Sequence, residues 1–142
     1  MNTQRCGYRL LDHPADLGIE AHGHSLIEAF EQAAVGLIST ILDIELIESR
    51  DRRVISLQAA DLEQLLVKWL TEILYLYDGV KFVAAEFQVD ELTATSLSAR
   101  VFGEPFSQDR HVARLDVKAI TYHQLLCEES ESGARVRVFL DI

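Results

Sequence analysis

Two segments of the chain place apolar residues at helical spacing. The first begins after Ser25, with Glu28 three residues later, a pairing typical of a capped helix N-terminus. The second begins after Asp61 and ends at Asp78-Gly79, where the chain can leave a helix. The two apolar stripes comprise Leu26, Phe30, Ala33, Ala34, Leu37 and Ile41, and Leu62, Leu65, Leu66, Trp69, Leu70, Ile73 and Leu74. We predict two amphipathic helices facing a core that includes Trp69.

The remaining chain is rich in short apolar runs, several of which alternate with polar residues. The predicted strands are residues 8–11, 17–21, 53–57, 81–89, 96–102, 116–121, 123–127 and 135–140. Between the last two strands, the acidic residues 128–133 have the composition of a solvated hairpin turn, with a docking loop as the alternative. We therefore predict an α+β fold in one domain spanning residues 1–142. Its strands form a mostly antiparallel or mixed sheet, with both helices packed on one face.

The charge balance disfavours nucleic acid as a direct ligand. The chain has 13 Lys+Arg and 23 Asp+Glu, a net charge of −10 at pH 7. Its one basic cluster, Arg50, Arg52 and Arg53, is interrupted by Asp51. Because such a field repels phosphate, we expect no tight binding to nucleic acid, and cations or basic protein surfaces as better ligands.

The apolar runs and the cysteines indicate in which cellular compartment the protein functions. No run approaches the ~18 residues of a transmembrane helix. The first residues lack the apolar centre of a signal peptide. Cys6 and Cys127 are far apart and form no paired-cysteine motif. We expect a cytoplasmic protein with no membrane association.

No catalytic motif is apparent in the sequence. Phosphate-binding glycine loops and the nucleophile-elbow pattern are absent. His22 and His24 flank Gly23 and could share a strand face to bind zinc, but no neighbouring Cys/His cluster completes a site. We expect exposed turn histidines there, and a hydrogen-bonded sheet residue at His123.

Acidic residues near predicted strand ends are the better candidates for chemistry. Asp12 and Asp16 lie around the first strand connection, Asp116 begins a strand, and Asp141 precedes the α-carboxylate of Ile142. Carboxylate oxygens suit hard cations such as Ca²⁺, Mg²⁺ or Mn²⁺ rather than zinc. Spacing alone does not bring Asp16 and Asp141 together.

The chain resembles the archease family along its whole length. The matching segments are residues 13–18 (HPADLG), 23–30 (GHSLIEAF), 61–66 (DLEQLL), 69–75 (WLTEILY), 103–104 (GE), 117–123 (VKAITYH) and 141–142 (DI). The last two are the most specific. Pro14 departs from the family, which usually has Thr there, and so loses a hydroxyl beside the site.

This resemblance implies a non-catalytic activator of the GTP-dependent, manganese-using tRNA-splicing RNA ligase. Such a protein promotes guanylylation and multiple turnover of the ligase in tRNA splicing and RNA repair, and binds a divalent metal, usually Ca²⁺. The family's metal ligands correspond to Asp16, Asp141 and Ile142. Asp116, Lys118 and His13 match positions with a supporting or partner-contact role.

Two other functions stay open on the sequence. A metal-dependent hydrolase could use the same acids to hold a cation and its water, although no general base is evident. A general chaperone or modifier of other RNA enzymes is the third possibility.

Overall fold

The computed structural model describes residues 6–12 and 16–142. The described residues form two α-helices, seven strands and a short 3₁₀ turn. In chain order these are β1 (Gly7–Asp12), β2 (Asp16–Gly23), α1 (Leu26–Ile41), the 3₁₀ turn (Ile44–Leu46), β3 (Asp51–Gln58), α2 (Leu62–Asp78), β4 (Phe82–Leu92), β5 (Ser96–Pro105), β6 (Ala119–Ser130) and β7 (Gly133–Asp141). All strand pairs are antiparallel, and the α+β prediction is confirmed.

Both helices begin where the capping residues predict. The Ser25 hydroxyl accepts a hydrogen bond from the Glu28 amide, and the Asp61 carboxylate accepts one from the Gln64 amide. Trp69 is fully buried, as predicted, and its indole N–H donates to the Phe30 carbonyl across 2.9 Å, which joins the two helices. Within the part of the chain that is described, neither helix has the length and apolar character needed to cross a membrane.

The strands divide between two sheets, where the sequence analysis expects one. One sheet has the order β1-β2-β7-β6 and the other β3-β5-β4. Helix α1 contacts β2 and β7 of the first sheet and β4 of the second, and α2 likewise contacts strands of both. The apolar stripes of the helices are therefore buried against both sheets. The alternation of residues along a strand does not indicate which sheet that strand joins.

The two strands predicted on either side of Tyr122, residues 116–121 and 123–127, form the single strand β6. Thr121 pairs with Phe139 and Leu126 with Arg137, so four β6 residues face one residue of β7 in a large bulge. Gln124 at φ 51° provides the bend that keeps both halves in one strand. The predicted hairpin turn is confirmed, with β6 and β7 paired through Ser130 and Gly133.

A buried carboxylate holds the segment between β5 and β6 in place. Glu104 is fully buried and accepts hydrogen bonds from Arg110 at 2.8 Å and from the Glu48 amide at 3.0 Å. His111 Nε2 lies 2.8 Å from its second oxygen, while His111 Nδ1 accepts from the Ser107 amide, so Nε2 carries the proton. Burial opposes ionisation, but these bonds outweigh it and lower the pKa of Glu104 to about 2. The network anchors the chain that leads to Lys118.

Candidate metal centre

The end of the four-stranded sheet brings two of the predicted metal ligands together. Asp16, the first residue of β2, pairs directly with Asp141, the last residue of β7. Residues directly opposite each other on antiparallel strands project from the same face, with Cβ atoms about 4.5–5.5 Å apart. The pairing thereby joins two residues that 124 others separate in the sequence.

Hydrogen bonds on both sides fix the backbone of Asp141. On one side is Asp16, and on the other Ala119 of β6 is its register partner. The Lys118 amide donates to the Asp141 carbonyl across 2.7 Å. Lys118, predicted as a supporting residue, thus contacts Asp141 through its main chain, and its side chain is exposed.

The donor set suits a hard cation. Asp141 is exposed and Asp16 is half-buried, so solvent and a partner protein can reach the pair. Like charges directly opposite on adjacent strands repel each other, which destabilises the strand pair. A divalent cation bound between the two carboxylates would replace this repulsion with attraction. Ile142 follows directly and is 38% exposed, so this end of β7 lies at the surface. Oxygen donors alone fit Ca²⁺ better than zinc.

The other predicted site residues are placed differently. Asp116 is exposed, precedes β6 rather than beginning it, and lies near the end of α2. There the pKa of Tyr77 is raised by burial and by the charges of Asp78 and Asp116. His13, and the Pro14 departure from the family pattern, lie outside the described residues.

A second cluster of possible ligands lies at the opposite end of β2, where the sequence analysis predicts only exposed turn histidines. His22 instead lies within β2 with its ring 3.7 Å from Glu20. His24 is exposed, but its Nδ1 lies 3.0 Å from Glu28 Oε1 and 3.6 Å from Cys6 Sγ. The four-residue spacing of His24 and Glu28 is visible in the sequence, whereas the approach of Cys6 depends on the pairing of β1 with β2.

Hydrogen bonding in this cluster shifts two pKa values in opposite directions. The Cys6 thiol donates to Glu28 Oε1 at 2.9 Å, and the His24 amide donates to the same oxygen at 2.7 Å. These bonds, with the His24 ring, lower the pKa of Glu28 to about 2. The bond to Glu28 raises the pKa of the Cys6 thiol, so the thiol keeps its proton at neutral pH.

Two arginines of the basic cluster are engaged within the fold. The Arg50 guanidinium lies 3.3 Å from the Glu104 carboxylate. That of Arg53 lies 4.4 Å from the centre of the Phe82 ring. Both guanidinium groups therefore have partners within the fold, although both side chains are exposed.

Comparison with known proteins gives consistent matches over the full chain. The Archease protein family matches residues 8–142. Protein archease of Methanosarcina mazei is 36% identical, with all of both chains covered. Protein archease of Sulfolobus acidocaldarius is 35% identical over 95% of this chain and 98% of its own.

Solved structures show the same fold. The solution structure of protein 1598 from Methanobacterium thermoautotrophicum superposes with a TM-score of 0.79 at 30% identity, covering 96% of this chain and 99% of that one. An archease from Thermotoga maritima, described as a possible chaperone, gives a TM-score of 0.57 at 15% identity, covering 94% and 96%. At that identity the second match speaks for the fold alone.

Proposed function

Because the chain belongs to the archease family, we propose that it is a metal-binding accessory protein that activates the GTP-dependent tRNA-splicing RNA ligase. Its role is to promote guanylylation and repeated turnover of the ligase in tRNA splicing and RNA repair. The chemistry belongs to the ligase. We place this activity in the cytoplasm, a reducing compartment that suits two free cysteines.

The observation that supports this proposal most is the pairing of Asp16 with Asp141. Two aspartates are paired in register at a sheet end that solvent can reach. Such a pair can bind a divalent cation, for which Ca²⁺ is our assignment, together with an oxygen of Ile142. When bound, the cation supplies a positive charge that a partner's phosphate or carboxylate groups can share.

The proposed mechanism is insertion of this sheet end beside the nucleotide site of the ligase. The backbone bond from Lys118 holds Asp141 in a defined place during that contact. We propose that the accessory protein binds more tightly to the ligase conformation that is competent for attack on GTP. The difference between its affinities for the two conformations sets how far the population shifts toward the competent one. Transient contact is sufficient for such a shift.

A guanylylation assay tests this function directly. The purified RNA ligase of the same organism is incubated with GTP labelled at the α-phosphate and Mn²⁺, and label bound to the ligase is measured with and without this protein. We expect the wild type to raise the rate, Asp141→Asn to abolish the increase, and Asp109→Asn to leave it intact. Asp109 is a matched control because it is an exposed aspartate outside the strands.

The outcomes separate the parts of the proposal. No stimulation by the wild type would contradict the ligase function. Stimulation by a folded Asp141→Asn protein equal to the wild type would remove the carboxylate pair from the mechanism. Calorimetric titration with Ca²⁺ then shows whether the pair binds metal at all.

A general chaperone is the alternative, supported by the description of the Thermotoga maritima structure as a possible chaperone. Suppression of the aggregation of unrelated unfolded proteins at equimolar concentration distinguishes it. The proposed activator should not protect such clients.

A further inference from the structure

The cluster at the far end of β2 gathers three different metal-binding groups from separate parts of the fold. Cys6 directly precedes β1, His24 follows β2, and Glu28 lies in the first turn of α1. Pairing of Gly7 with His22 brings the start of β1 to the end of β2, beside the helix. A thiol, an imidazole and a carboxylate thus lie with their donor atoms within 4.8 Å of one another. We propose that Cys6, His24 and Glu28 form a second metal site, which takes a borderline-soft divalent cation, Zn²⁺ foremost.

The distances are close to those of a tetrahedral zinc site. Bonds of about 2.3 Å to sulfur and about 2.0–2.1 Å to nitrogen and oxygen place ligand atoms about 3.5 Å apart for S···N and S···O, and about 3.3 Å for N···O. The structure has 3.6 Å between Cys6 Sγ and His24 Nδ1. The Sγ to Glu28 Oε1 distance is 2.9 Å, and the Nδ1 to Oε1 distance is 3.0 Å. An ion would therefore fit if the distances from Glu28 Oε1 to the other two ligand atoms increased by about 0.3–0.6 Å.

Protons occupy the position that the metal would take. The Cys6 thiol donates its proton to Glu28 Oε1, and the His24 ring nitrogen lies at hydrogen-bond distance from the same atom. On metal binding the thiol proton is released to solvent, and neutral His24 carries its remaining proton on the outward Nε2. The fourth coordination position stays open to water or to a partner protein, because three protein ligands leave one free.

The surrounding backbone holds the carboxylate in position. The His24 amide donates to Glu28 Oε1 at 2.7 Å, an orienting hydrogen bond of the kind that supports metal ligands. Gly23 allows this approach, because a Cβ at that position would overlap the Cβ of Glu28. The end of β2 and the first turn of α1 are thus in close contact.

This second site is chemically and spatially separate from the carboxylate pair. His24 lies eight positions beyond Asp16, directly after the extended strand β2, which places the two residues about 25 Å apart. Thiolate and imidazole ligands favour zinc or cobalt, whereas paired carboxylates favour calcium. The two sites can therefore be titrated independently, and failure of one leaves the other standing.

Cobalt(II) titration tests the site, since a thiolate bound to Co²⁺ absorbs in the near ultraviolet through sulfur-to-metal charge transfer. The full-length protein is kept reduced, titrated with Co²⁺, and then with Zn²⁺ as competitor. We expect one Co²⁺ with thiolate absorption in the wild type, displaced by Zn²⁺. Cys6→Ser should lose the absorption, and its affinity for Co²⁺ should fall by at least ~100-fold. Loss of a residue that only supports a metal ligand costs up to about 100-fold, and loss of a ligand should cost no less.

Cys127→Ser is the matched control. Cys127 is half-buried, and its pKa is raised to about 12 by burial and by Glu63 and Asp61, so it is a poor ligand. This variant should keep the cobalt spectrum, as should Asp141→Asn. Zn²⁺ should also raise the thermal midpoint of the wild type and of Cys127→Ser, but not of Cys6→Ser.

Three results would overturn the proposal. They are a wild-type protein without thiolate absorption at saturating Co²⁺, an unchanged spectrum in Cys6→Ser, and loss of the spectrum in Cys127→Ser. Circular dichroism of the metal-free variants checks that each is folded. Since Cys6 and His24 are exposed, their replacement removes no core contact, and folded variants are expected.

Discussion

Replacement of Asp141 by asparagine should have opposite effects on stability with and without calcium. Asparagine keeps the shape of the side chain and removes its charge. Asp141 is exposed and directly opposite Asp16, so the change relieves a repulsion between like charges in the metal-free protein. It also removes an anionic ligand from the proposed calcium site.

The size of the repulsion follows from the strand geometry. Two unit charges about 5 Å apart interact with about 0.8 kcal/mol in water and about 3 kcal/mol at an effective dielectric constant of 20. Because Asp141 is exposed, we take a value near the lower limit, about 1 kcal/mol. For a chain of this length that raises the melting temperature by about 3 °C. Calcium at 100 times its dissociation constant stabilises the wild type by about 2.7 kcal/mol, which reverses the order.

Thermal unfolding followed by circular dichroism, in EDTA and in excess Ca²⁺, measures both effects. We expect Asp141→Asn to melt above the wild type in EDTA and below it in calcium, with no response of the variant to Ca²⁺. Asp109→Asn should follow the wild type in both conditions. A variant that melts below the wild type in EDTA would contradict the predicted repulsion, and one that gains as much stability from calcium as the wild type would contradict the calcium site.

Three further predictions concern the fold that positions the sites. Glu104→Gln should lower the unfolding free energy at pH 7 by about 2 kcal/mol, since hydrogen bonds to a charge are lost. With a folded-state pKa of about 2 against an ordinary 4.5, ionised Glu104 stabilises the wild type above pH 4.5, and this contribution disappears toward pH 2. Urea unfolding across that range should therefore show a weaker pH dependence in the variant, and an unchanged dependence would exclude Glu104 as its source. Trp69→Phe should cost about 2–4 kcal/mol in the same assay, because it leaves a cavity and removes the indole hydrogen bond to the Phe30 carbonyl; a cost below 1 kcal/mol would contradict that packing. Gly103→Ala should cost ~3 kcal/mol or more, because its Cβ would overlap the Val83 carbonyl oxygen, and a normally stable variant would show that the strands can separate there.

The sequence predicts the helices closely because their determinants are local. Ser25 and Asp61 are recognisable caps, and the apolar stripes repeat over several turns. The α+β class follows from those helices and the alternating strands. The sheets themselves depend on which strands pair, and a run such as residues 119–130 carries no local sign that a bulge will join its halves.

The candidate sites divide in the same way. Asp16, Asp141 and Ile142 are identified by resemblance to a family, and the carboxylate oxygens of the two aspartates indicate a hard cation from the sequence alone. That Asp16 faces Asp141 is decided by the register of β2 against β7, a contact across nearly the whole chain. The Cys6 cluster has no comparable sequence signal. Strand pairing and the close approach at Gly23 bring its thiol, imidazole and carboxylate together, because long-range contacts place side chains that their own neighbours in the sequence do not specify.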